Sequence, residues 1–155
     1  MDIECNIPIT TTEGFEYLLI FSKFASGSIP EEITIPVVNL SIEVKENPPS
    51  INNLSTLAII SSNIEKYLHY NDVILYCYCD NAEITKSKKN EHMSHQQYRS
   101  TLFSAMFDKK KCEEHLNEKV TIEDEINGTH YIHLISKIEN TEAVAVIAST
   151  VLKVK

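Results

Sequence analysis

Glycine is scarce in this chain: Gly14, Gly27 and Gly128 are the only three, each isolated and near a turn. A loop that cradles phosphate with backbone amides needs several glycines in close succession, so nucleotide binding of that kind is excluded. The chain also lacks a Gly-x-Ser-x-Gly elbow and a His-Glu-x-x-His zinc helix, the signatures of common hydrolases. The longest apolar runs, Val73 to Cys79 and Ala143 to Ala148, fall far short of the roughly 20 residues a bilayer crossing requires, so no membrane span is expected. Positive charge is in deficit, with 14 basic against 22 acidic residues and a net charge of −8. That balance opposes nucleic-acid phosphates. Two local exceptions are Lys86, Lys88 and Lys89, and Lys109, Lys110 and Lys111. Both read as solvated loop or helix-end charges, with nucleic-acid binding through Lys86–Lys89 and Lys109–Lys111 as a third-ranked reading.

What is present suffices for one core. A chain of 155 residues can bury roughly 68–70% of its unfolded surface without metals or disulfides, which predicts a single domain over residues 1–155. Cys5, Cys77, Cys79 and Cys112 are read as reduced thiols in a cytoplasmic protein, since no apolar signal segment opens the chain.

Residues 16–24 form a first strand by their aromatic and branched content, and residues 37–46 a second, with Val38, Leu40, Ile42 and Val44 on one side and polar residues on the other. Pro48-Pro49 ends it. Asn53 then caps a helix over about 53–68 whose stripe is Leu54, Leu57, Ala58, Ser61, Ile64 and Leu68. Val73 to Cys79 is apolar nearly throughout, as in a central strand covered on both faces. The polar stretch 81–90 is a loop. A second helix over about 92–110 carries Arg99, Leu102, Phe103, Met106 and Phe107 on one flank and Gln96, Gln97, Ser100, Ser104 and Asp108 on others. Strands 119–126 and 130–138 meet at Asn127-Gly128, a hairpin signal. The tail from Thr141 suits a strand or a capped helix, and the helix is preferred. The order β-β-α-β-α-β-β-α defines an α+β fold: a mixed, mainly antiparallel sheet of about five strands with two or three helices packed on it.

Metal donors occur as Cys77/Cys79, His92/His95, Cys112/His115 and His130/His133. Their spacings match no zinc module, and His130 and His133 point to opposite sides of a strand. No metal and no cofactor is assigned, and no catalytic residue. Cys112, near Lys109 to Lys111 and His115, is the least implausible nucleophilic thiol; Cys77 and Cys79 read as core packing. Arg99 is the chain's sole arginine and lies on or beside the apolar flank of its helix. Such a guanidinium calls for a carboxylate, and Asp80, at the end of the central strand, is the candidate, forming a structural pair or part of a ligand site.

Val73-Ile-Leu-Tyr-Cys-Tyr-Cys79-Asp80, followed by Arg99-Ser-Thr-Leu-Phe103-Ser-Ala-Met106-Phe107, resembles a family of small uncharacterised bacterial proteins. In that family, a domain of unknown function, a strand ending Cys-Asp leads into a helix with Arg-x-x-x-Phe-x-x-Trp-Phe. The likeness spans most of residues 16–152. Met106 replaces the tryptophan, and the second aspartate that often follows Cys-Asp is missing. The resemblance implies a bacterial, single-domain protein and singles out Asp80 and Arg99; it implies no activity.

Two functions remain in contention. The first is a cytoplasmic protein-binding or regulatory module without catalysis, using an unknown partner or self-association, with Tyr67, Tyr70 and Tyr98 as contact aromatics. The second is an enzyme or small anionic-ligand protein with a pocket near Asp80 and Arg99, where His92, His95 and Tyr98 are further candidates.

Overall fold

The computed structural model describes residues 4–10, 16–24, 33–44, 54–79, 92–108, 115–126 and 128–153. Among the described residues six strands and three helices follow one another as β1 (Cys5–Thr10), β2 (Glu16–Lys23), β3 (Val37–Val44), α1 (Leu54–Tyr70), β4 (Ile74–Cys79), α2 (His95–Asp108), β5 (His115–Ile122), β6 (His130–Lys137) and α3 (Thr141–Lys153), with a 3₁₀ turn over Ile138–Asn140. The fold is α+β with a mixed, mostly antiparallel sheet, as expected. The sheet has six strands instead of about five, in the order β1-β2-β3-β4-β6-β5.

The additional strand is β1, whose middle position is Pro8 opposite Leu18 of β2. Proline cannot donate to a ladder, yet an edge strand has one side without a partner strand, and β1 lies at the edge. Among the described strands only β3 and β4 run parallel, and α1 lies between them in the chain as the crossover that parallel neighbours require.

Side-chain alternation sends the strands' residues into two cores. On one face Tyr17, Leu19, Phe21, Val38, Leu40, Leu75, Cys77 and Ile135 meet Ile60, Ile64, Tyr67 and Leu68 of α1 and Phe103 of α2. Phe21 and Tyr67 stack at 3.8 Å, and a fully buried aromatic or aliphatic side chain here contributes roughly 1.5–3 kcal/mol. On the other face Val37, Ile74, Val120, Ile122, Ile132 and Leu134 meet Val144 and Ile147 of α3. The spacing of three between Val144 and Ile147 is helical, which decides the tail in favour of the helix. Asn140, buried just before α3, ties the turn down by donating to Asp72 Oδ1 and Ser136 Oγ, both at 2.9 Å.

Several local expectations need correction. Of the expected α1 stripe Ser61, Ile64 and Leu68 are buried, joined by Ile60 and Tyr67, while Ala58 is exposed and the side chains of Leu54 and Leu57 lie outside the described residues. The helix runs on to Tyr70, where the Asn71 side chain donates to the Tyr67 carbonyl at 2.9 Å. Tyr67 and Tyr98 are 5% and 2% exposed, so neither offers a contact surface, whereas Tyr70 at 61% does. Helix α2 begins at His95 because Ser94 caps it, its Oγ accepting from Gln97 N–H at 3.2 Å. The hairpin between β5 and β6 is present, but Ile122 pairs with His130, so a seven-residue loop joins them in place of a tight Asn-Gly turn. Asn53, Asp80, Lys86 to Lys89, Lys109 to Lys111 and Cys112 lie outside the described residues. Among the described residues no helix is long and apolar enough to cross a membrane.

Candidate functional site

Strand β6 carries two histidines three residues apart, and a strand's period of two sends them to opposite faces. His133 points toward α2 and is fully buried. Its Nε2 lies 2.9 Å from Ser100 Oγ and its Nδ1 2.9 Å from Asn117 Oδ1, while Phe103 packs on the ring at 4.8 Å. An amide oxygen only accepts, so Nδ1 carries the proton and Ser100 donates to Nε2. This is the hydrogen-bond polarity of a serine–histidine–asparagine triad, but Ser100 is 0% exposed. The arrangement anchors α2 to the sheet and keeps the imidazole neutral: burial, and secondarily the charge of Lys119, lowers its pKa from 6.5 to about 4.

His130 faces the other way, at the end of the sheet where β4 finishes. Tyr78 is the one β4 residue that emerges, at 46% exposure, and so corrects the expectation of a strand covered throughout. Its Oη lies 2.6 Å from His130 Nδ1. On the far side of the ring, Nε2 is 3.2 Å from Asp124 Oδ2.

The loop between β5 and β6 holds Asp124 in place for this contact. Asp124 Oδ1 accepts from Ile126 N–H and its carbonyl accepts from Gly128 N–H, both at 2.9 Å. Gly128 closes the loop at φ +85°, a conformation that side-chain-bearing residues seldom adopt. The loop is pinned to α2 where Gln96 Nε2 donates to the Thr129 carbonyl at 3.3 Å. Ile126, at the tip, is 90% exposed. Residues from β4, β6 and the loop thus form one connected chain, Tyr78–His130–Asp124, whose carboxylate also accepts from the backbone N–H of Ile126.

Tyr76, two residues before Tyr78 on the same face, has its phenol pKa raised, first by burial and then by the charge of Tyr78. Cys77 and Cys79 are buried in the sheet, in line with core packing. Among the described residues no three His, Cys, Asp or Glu side chains are grouped to hold a metal.

The expected site residues fare unevenly. His92 is exposed ahead of α2, His95 and Arg99 are half-buried on it, and Tyr98 is buried within it. The Asp80–Arg99 pair falls outside the described residues, because Asp80 does. The groups that sequence reasoning missed are Asn117, Tyr78 and Asp124, together with the burial of Ser100, which the spacing puts on a flank of α2 other than that of Leu102 and Phe103. The available signals were the outward phase of Tyr78 in β4 and an aspartate four residues before Gly128. No protein-family model, no curated protein and no solved structure matches the chain.

Proposed function

We propose that this protein is a small cytoplasmic partner-binding or regulatory module, without catalytic activity of its own, that docks through the end of the sheet where β4 finishes. The observation that carries this reading is the exposure of Tyr78 and Ile126, 46% and 90%, on a chain held by the bonds of His130 and Asp124. An aromatic and an aliphatic side chain presented on a rigid polar support suit the centre of a protein interface, where little ordering entropy is then lost on binding. A bacterial setting is part of the proposal through the sequence resemblance alone, which adds no activity.

The test is photo-crosslinking in cells with a photoreactive residue at position 126, compared with one at the exposed Tyr70. A discrete adduct at 126, lost when Tyr78 is also changed to alanine, supports the module; an adduct at twice the mass of the chain identifies the partner as a second copy. Equal, diffuse labelling at both positions defeats it.

A second reading, an enzyme or anionic-ligand protein for which the sequence singled out Asp80 and Arg99, draws on one observation, made at Tyr78 and not at that pair. A hydroxyl hydrogen-bonded to an imidazole that a carboxylate orients, as in Tyr78–His130–Asp124, is the general form of an activated nucleophile or acid–base relay. Turnover of activated aryl esters or phosphates that disappears in Tyr78→Phe would establish it over the first. The nucleic-acid reading through Lys86–Lys89 and Lys109–Lys111 ranks third, and a gel shift that salt abolishes is its measurement.

A further inference from the structure

Helix α2 meets the sheet around one side chain. Of its described residues Tyr98, Ser100 and Phe103 are buried, and two of those three touch His133: Ser100 Oγ lies 2.9 Å from Nε2 and the Phe103 ring 4.8 Å from the imidazole. The ring is fully buried, and its Nδ1 lies 2.9 Å from Asn117 Oδ1 of β5. A single imidazole thus ties together α2, β5 and β6.

This junction suits the neutral ring alone. Asn117 takes the Nδ1 proton and Ser100 gives its own to Nε2. A second ring proton would occupy Nε2, so Ser100 would have to turn from donor to acceptor, and the new charge would stand where water does not reach. Around the ring are the thiol of Cys77 on β4 and the ammonium of Lys119 on β5, each opposite His133 in its ladder. Tyr131 shares its face of β6, and Arg99 adjoins Ser100 on α2. Two of these groups are cations and none is a carboxylate. Burial opposes charge on the ring more than Lys119 does, and burial ends only if an element moves aside and admits water. The strands on either side are fixed by backbone ladders, whereas α2 is held by side-chain contacts such as Gln96 Nε2 to the Thr129 carbonyl, 3.3 Å. The helix is the element that gives way.

We infer that the His133 junction is an acid-sensitive latch: a proton on the ring releases α2 and uncovers Phe103 together with Cys77 and Ile135 of the same core, while the sheet stays paired. The inference is independent of docking at Tyr78.

Amide hydrogen exchange on the full chain at a series of pH values, corrected for the intrinsic exchange rate, tests it. With a proton taken up only when the helix opens, α2 amides are expected to lose protection about twentyfold between pH 7 and pH 5, while amides of β4 and β6 keep theirs. The loss is expected to vanish in His133→Gln. It is expected to shrink in Lys119→Glu, which sets an anion near the ring from an exposed position and leaves the core intact. Equal loss in α2 and in the sheet overturns the latch, since the fold then opens as one unit. Protection of α2 that does not change with pH overturns it too, as does a loss that is the same in Lys119→Glu.

Discussion

Replacing His133 with glutamine removes a titrating group from the core and keeps one donor and one acceptor in its place. In the native protein the imidazole is fully buried, bonded through both nitrogens, with its pKa lowered from 6.5 to about 4 by burial and then by Lys119. In the unfolded chain the same ring takes up a proton near pH 6.5. As pH falls through the window from 6.5 to about 4, the unfolded state therefore binds a proton that the folded state refuses, and stability drops with it. Above the window the contribution is fully present, and below about pH 4 the loss levels off. At about 1.4 kcal/mol per tenfold change in proton affinity, the whole window amounts to about 3 kcal/mol. Urea unfolding of both proteins at a series of pH values isolates this term, because the surface carboxylates titrate in both. The glutamine variant is expected to be less stable than the native protein at neutral pH, by about 1–3 kcal/mol for imperfectly met hydrogen bonds, and to close that gap or overtake it near pH 4. Parallel stability curves from pH 7 to pH 4 would refute the reasoning, as would an imidazole resonance of His133 that titrates near its ordinary value.

Three further outcomes are expected. Gly128→Ala should cost about 1–2 kcal/mol from backbone conformation alone, since φ is +85° while an added Cβ meets only Gln96 Nε2 at an ordinary 3.6 Å; thermal unfolding measures the loss, which should grow little in Gly128→Ser. Phe21→Ala should lose about 3–5 kcal/mol, because Phe21 is 1% exposed and stacked on Tyr67, and denaturant titration reads it directly. Tyr78→Phe should lower the raised pKa of Tyr76 only in part, as burial is the larger cause and the charge of Tyr78 the smaller; ultraviolet titration of the phenols follows both.

Much of the architecture was legible because local rules and the final environment agree. Val38, Leu40 and Ile42 alternate with polar residues and do enter one core, and the apolar run ending at Cys79 does lie inside the sheet, between β3 and β6. Strand β1 was not legible, since Pro8 argues against a strand until the sheet shows that it lies at an edge. Periodicity also placed Ser61, Ile64 and Leu68 on the buried face of α1, while Tyr67, stacked on Phe21, joined that face only through a partner outside the helix.

The candidate site shows the same division more sharply. Sequence alone established that His130 and His133 diverge, because a strand's period of two is a local property. It also established the acidic charge, the absence of a glycine-rich phosphate loop and the class of fold. Which partners the two rings meet was decided only by tertiary structure. Ser100 and Asn117 lie 33 and 16 residues from His133, and Tyr78 lies 52 from His130. Bonds over such distances depend on strand order and register, which arise when two cores close around one sheet, and no local pattern encodes them.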